Sequence, residues 1–328
     1  MTDPTQPTHH TARFPAMSVT VRLTGCGVSE ADVQRAARIG AALANIWEDA
    51  FSRFRPTSTL SRLNAANGSP VAVDPMVLDL LETSREAVFA TGGRFDPSIL
   101  DALEYAGYDR DFALVKEHGA SSAGRIAPRR AGGMDAWQRV VLDRARGDVI
   151  LPPGMRIDLG GIAKGAFVDL LAARFHWWPG GTVEAGGDLR VWGLAPDGLP
   201  WRVAIERPAA EERDGAADAP ITHAVILDPA HAGGVATSGI DRRRWTANGA
   251  SAHHLIDPAT GRPLEGAALS ATAFAATCTA AEVAAKTLLL TAAEGIPFAP
   301  ALARGILLGP RGEIVADTGA AQAAVTLA

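Results

Sequence analysis

Residues 157–169, IDLGGIAKGAFVD, bring Asp158, the glycine pair Gly160-Gly161 and Lys164 together in one short stretch. Glycines let a ligand come close to the backbone, and the first N–H groups of a following helix can hold phosphate oxygens. Lys164, one turn into that helix, adds positive charge at the same end. The stretch suits an anion, yet a plain strand-to-helix turn with a solvated lysine would read the same way. It lacks the GK[ST] ending of a Walker loop and is no GxGxxG fingerprint.

Other stretches carry chemistry of their own. HHLIDPATGRP (253–263) sets His254 three residues ahead of Asp257 in a DPATG turn. Histidine is the side chain suited to taking a proton near neutral pH, and a nearby carboxylate could orient it or hold a metal. Adjacent histidines are also common as structural or surface residues. TAAEVAAKTLLL (279–290) spaces Glu282 and Lys286 four apart, an ordinary exposed helical ion pair. Its surroundings are almost wholly apolar, however, so the two charges could instead face something inside. TGGRFDPSI (91–99) puts Asp96 in a turn before proline, while VEAGGDLRVWG and GGVATSGIDRRRW read as glycine turns between strands. There is no GxSxG, HExxH or CxxC pattern.

The elements that must position these residues follow from periodicity. MSVTVRLTG alternates as a strand does, and Ser29 is placed to cap a helix from Glu30 to Phe51. Val33, Ala37, Gly40, Leu43, Trp47 and Phe51 then share one face. A second helix is expected from Asp74-Pro75 to Gly92-Gly93, and two more over Gly161–Phe175 and Thr279–Leu290. Strand candidates are RVVLD, DVILP, MRIDLG, TVEAG, LRVWG, WRVAIE and HAVILD; 119–133 and 207–220 read as surface loops. Strands in the middle and helices on the flanks predict an α+β fold in one compact unit of mixed sheets, not regular βαβ alternation. The expected division is a disordered segment 1–14 followed by a single domain, 15–328.

Composition narrows the function classes. A chain of 328 residues with net charge -5 is long enough for a sizeable core and gives no reason to expect nucleic acid as a partner. Cys26 and Cys278 are too few for a disulfide framework. The polar opening MTDPTQPTHHTA lacks a signal-peptide pattern, and the richest apolar run is interrupted by Glu282 and Lys286. No membrane insertion is expected, and a cytoplasmic protein is the default. Oligomeric state is not readable.

Taken in order, FSRFRPTSTLSRLN, TGGRFDPSI, IDLGGIAKGAFVD, VEAGGDLRVWG, PWRVAIERP, VATSGID, HHLIDPATGRP and AEVAAKTLLL resemble the ApbE family of FAD:protein FMN transferases, from about Met17 to the C-terminus. The resemblance implies an ApbE-like (T-fold-like) fold. It also implies an enzyme that uses Mg²⁺ to cleave the pyrophosphate of FAD, its substrate. Such an enzyme attaches FMN through a phosphoester to a Thr or Ser of an acceptor protein and releases AMP. The acceptor usually carries a motif resembling Asp-x-x-Ser/Thr-Gly/Ala-Thr. Carried over by motif, Met17, Phe54, Arg94, Phe95, Asp96, Asp158, Lys164 and Ile256 are expected cofactor contacts, and His254 is the base for the acceptor hydroxyl. The metal positions fall on Gly161, Glu282 and Lys286. The last two stand where the family commonly has Asp and Thr, and an ammonium does not ligate Mg²⁺. The expectation is therefore transfer with an altered metal site; FAD hydrolysis to FMN and AMP, or flavin binding without transfer, are the alternatives.

Overall fold

The computed structural model describes residues 8–119, 132–208, 221–227, 233–241, 243–247, 250–266, 268–295, 304–318 and 324–326. Its largest sheet has eight strands: β1 (His9–Ala16), β2 (Val19–Cys26), β3 (Gly180–Ala185), β4 (Asp188–Gly193), β5 (Gly234–Gly239), β6 (Ser270–Ala275), β7 (Arg304–Leu308) and β8 (Ile314–Asp317). Their spatial order is their chain order, and each neighbouring pair is antiparallel. The other elements are inserted into this meander, apart from a strand Ala324–Thr326 that follows it. Residues 27–179 separate β2 from β3 and carry most of the helices.

The longer helices are α1 (Glu30–Phe51), α2 (Pro75–Ala90), α3 (Ala163–Phe175) and α4 (Cys278–Ala293). Ser29 does cap α1, its hydroxyl accepting from the Asp32 N–H. At α2, Pro75 takes the first helical position, but the Asp74 side chain makes no capping bond. Val33, Ala37, Trp47 and Phe51 of α1 are buried, against Val21 and Leu23 of β2 and Phe167 of α3. Helix α3 packs on β3 and β4, and α4 on β5 and β6, so the two helices lie side by side against the sheet. Among the described residues no helix is long and apolar enough to cross a membrane.

Several expectations need correcting. The chain is ordered as β1 from His9, inside the segment expected to be disordered to residue 14; Ala12, Phe14 and Ala16 alternate into the core and pair β1 along β2. Residues 1–7 lie outside the described residues, as do 120–131 and 209–220 of the expected loops. Gly133 already opens a short helix, Gly133–Gln138. MRIDLG is extended but joins no sheet. Ile157 exchanges its backbone bonds with the Asn64 side chain, donating at 2.8 Å and accepting at 2.9 Å, and the Asp158 N–H goes to Pro97 O. Helix α3 starts at Ala163 rather than Gly161, and α4 runs a turn past Leu290.

Candidate active site

Helices α3 and α4 meet where the glycine turn enters α3, and charge is buried at that junction. Glu282 of α4 is 0% exposed. Its Oε2 accepts the Gly165 N–H at 2.9 Å, and its Oε1 accepts from Lys164 Nζ at 2.8 Å and Lys286 Nζ at 3.2 Å. Lys164 also pairs with Asp188, which is 1% exposed at the start of β4. Glycine allows the close approach here, most stringently at Gly165. A Cβ on Gly165 would lie 2.9 Å from Cys278 O, and one on Gly161 would lie 3.1 Å from Lys286 Cε. The Glu282–Lys286 pair is thus the inward-facing one of the two arrangements open from sequence.

The electrostatics follow from burial and neighbours. Burial works to raise the Glu282 pKa, but Lys164 and Lys286 outweigh it and hold the carboxyl below its usual range. Burial raises Asp188, with the Glu282 charge adding to it. Burial also lowers Lys164, but Asp188 and Glu282 reverse this and push its ammonium above the ordinary value. Lys286 is lowered, by burial and by the neighbouring Lys164.

Lys164, Glu282 and Lys286 of this cluster line a cavity of about 1240 Å³. Every residue expected from sequence to take part in the site lines it. Met17 occupies the tip of the β1–β2 hairpin, a two-residue turn with Met17 at φ 50° and Ser18 at φ 59°. Such a turn normally uses Asn or Gly, so two ordinary residues are held there at a cost. Glu48 Oε1 accepts the Met17 N–H at 2.6 Å, and Ser18 Oγ donates to Asp111 at 2.7 Å. Phe54 is half exposed beside Tyr108, ring centroids 5.8 Å apart. Ile256 is buried against Tyr108 and Trp245.

The GRFDP turn divides its labour. Arg94 pairs outward with Glu294 at the end of α4, at 2.9 Å. Phe95 is buried and approaches the Gly161 turn. Asp96 is 4% exposed and accepts four bonds, from Ser98 N, Ser98 Oγ, Gly133 N and Trp137 Nε1. Its carboxylate therefore shapes the turn from behind. Asp158 is similarly engaged, accepting from Gly160 N at 2.9 Å and pairing with Arg53 Nε at 2.7 Å.

The two adjacent histidines separate. His253 Nε2 lies 2.8 Å from Leu264 O and is buried as part of the loop packing. His254 faces the cavity, with its Nδ1 buried and without a protein partner. Burial, then the charges of Arg243, Lys286, His253 and Lys164, hold its pKa well below the ordinary imidazole value. This favours the neutral imidazole, the form able to accept a proton. Asp257 does not orient it: its Oδ1 caps its own turn, accepting from Ala259 N at 2.8 Å.

Two expectations about ligands change. The N-terminus of α3 is less open to phosphate than the turn suggests, because Glu282 takes the Gly165 N–H and Leu159 O the Ala163 N–H. Gly161, Glu282 and Lys286 do not fit a Mg²⁺ site. Lys286 offers only donors, both Glu282 oxygens are taken by three donors, and Mg²⁺ requires oxygen ligands in octahedral array. Among the described residues no three His, Cys, Asp or Glu side chains are grouped to hold a metal.

Sequence reasoning passed over three contributors. Arg53 is clamped between Phe54 and Tyr108, its guanidinium carbon 4.2 Å and 4.5 Å from the ring centroids, and its Nη2 is buried without a partner. Tyr108 is an isolated aromatic with no motif to mark it. Asp188 was visible only as part of a glycine turn, at the first position of the strand DLRVWG.

The ApbE family model matches residues 16–305 of this chain. A protein of Treponema pallidum named FAD:protein FMN transferase is 32% identical over 266 residues, covering 73% of this chain and 68% of its own. One of the same name from Vibrio cholerae is 28% identical over 249 residues, covering 75% and 70%. The crystal structure of the ApbE protein of Thermotoga maritima superposes with a TM-score of 0.75 at 24% identity, covering 94% of this chain and 96% of that one. The apo flavinyl transferase ApbE of Pseudomonas stutzeri gives 0.75 at 22% identity, covering 98% of both. At those identities the two structures establish the shared fold.

Proposed function

This chain belongs to the ApbE family, and we propose that it transfers the FMN half of FAD to a Ser or Thr hydroxyl of an acceptor protein. The observation that carries the reading is the position of His254: an uncharged imidazole on the wall of the cavity that also holds the Lys164–Lys286 cluster. Attack on phosphorus needs a group to take the hydroxyl proton and positive charge near the phosphoryl oxygens. In the proposed step the acceptor oxygen bonds to the flavin-side phosphorus. The bond from that phosphorus to the bridging oxygen breaks, and AMP departs with that oxygen and its electron pair. The proton passes to the His254 imidazole.

The other residues bind and orient. Met17 and Phe54 present sulfur and ring at one wall, suited to the flavin or adenine plane, with Ile256 as an apolar floor. Phe95 flanks the Gly161 turn, Arg94 lines the cavity while paired with Glu294, and Asp96 holds that segment in shape. Asp158 acts with Arg53, whose partnerless Nη2 is suited to a carbonyl or phosphate oxygen. The acceptor is expected to carry a motif resembling Asp-x-x-Ser/Thr-Gly/Ala-Thr. Incubating the protein with FAD and a protein fragment bearing that motif, then separating the products by chromatography, tests the reading. AMP and flavin bound to the fragment support transfer. Free FMN with AMP means hydrolysis, and unchanged FAD means binding alone.

A further inference from the structure

We infer that the Lys286 ammonium is the resident cation of this site, occupying the Gly161 turn that a divalent metal would need, so that the protein works without a metal ion. The inference rests on the flavin-transfer reading for the chemistry the cation serves, but its geometry stands independently. Lys286 Cε and Cδ lie 3.1 Å and 3.5 Å from the position of a Cβ on Gly161, so the side chain lies directly over the turn. Glu282 secures the ammonium there, through Oε1 at 3.2 Å and its own backbone carbonyl at 3.4 Å. Those two contacts account for two of the three ammonium protons, leaving one for an oxygen in the cavity.

Charge balance points the same way. The two ammonium groups of Lys164 and Lys286 face the two carboxylates of Asp188 and Glu282, and these pair with one another. The cluster is internally compensated before any ligand arrives. A divalent ion at the turn would lie beside Lys286, where the cluster's two carboxylates are already committed to ammonium groups. The oxygens of a pyrophosphate, in contrast, would meet an ammonium placed as a point charge, a role lysine fills at other phosphate sites. As the acceptor oxygen attacks and AMP leaves, the growing negative charge on the phosphoryl oxygens is balanced by Lys286, and no proton leaves the ammonium.

The test uses the full chain after treatment with EDTA and removal of the chelator. Calorimetric titration with MgCl₂ and with MnCl₂, without FAD, reads the site directly. The expected result is no saturable binding at millimolar metal and no rise in melting temperature. Lys286→Thr should gain both. In the transfer assay, EDTA should leave the wild-type rate unchanged, while Lys286→Met should lose about 100-fold or more, with no recovery on adding Mg²⁺. Saturable metal binding by the wild type, or loss of its activity in EDTA, overturns the inference. The titration needs neither an active enzyme nor a folded variant. If no FMN transfer is found under any condition, the proposed function fails while the metal question is still decided.

Discussion

His254 and Lys286 line the same cavity, and the lysine acts on the histidine. The lysine charge helps keep the imidazole unprotonated, so a base and a cation can act together at neutral pH. Replacing His254 with Ala should lower the transfer rate by about 10²- to 10⁴-fold, the usual range for a lost general base, with unchanged far-UV circular dichroism. Retained activity would remove His254 from its assigned role. The pH dependence has a definite sign. A lowered pKa keeps the base neutral to more acidic pH, so the acidic limb of kcat/KM should fall below the ordinary imidazole value of about 6.5. After burial, Arg243 is the largest contributor to that lowering. Arg243→Gln should therefore move the limb upward; a limb that stays in place would mean another group titrates. His254 itself was legible from its DPATG neighbourhood and family motif. Its separation from His253 was not, because only the Leu264 carbonyl, eleven residues on, tells the two rings apart.

Where α3 meets α4, the site depends on how closely two helices approach. Gly165→Ala puts a methyl 2.9 Å from Cys278 O and 3.0 Å from Glu282 Oε2, backbone and buried carboxylate that cannot both move. Overpacking of this kind costs about 1–3 kcal/mol, so the variant should show a lower urea midpoint and weaker FAD binding together. A midpoint equal to wild type would show that the helices have room to spare. The extent of α1 was readable because Ser29 is a strong local cap and Phe51 closes an apolar stripe. MRIDLG was misread for an equally physical reason. Its alternation is real, with Met155, Ile157 and Leu159 buried, but its hydrogen-bond partner is the Asn64 side chain, which no periodicity reveals. At the α3 N-terminus the Gly165 N–H is taken by Glu282, over a hundred positions away, which no local pattern reveals.

Across the whole molecule, the eight-stranded meander brings chemistry from distant parts of the sequence into one cavity. The β1–β2 hairpin delivers Met17, the insertion before β3 delivers Phe54, Phe95 and Asp158, and the segment before β6 delivers His254. The mixed α+β character followed from strand and helix periodicity. The pairing of β2 with β3 did not, because alternation fixes which face is buried and says nothing of a partner some 150 residues on. The cavity residues were found through motif resemblance, which carries that long-range information; residues outside the motifs, such as Tyr108, stayed hidden. The measurement that bears most directly on the account is the intact mass of an acceptor fragment after incubation with the protein and FAD. The account predicts a gain equal to one FMN less one water, lost when the motif Ser or Thr is changed to Val. An unmodified acceptor alongside free FMN and AMP would contradict it.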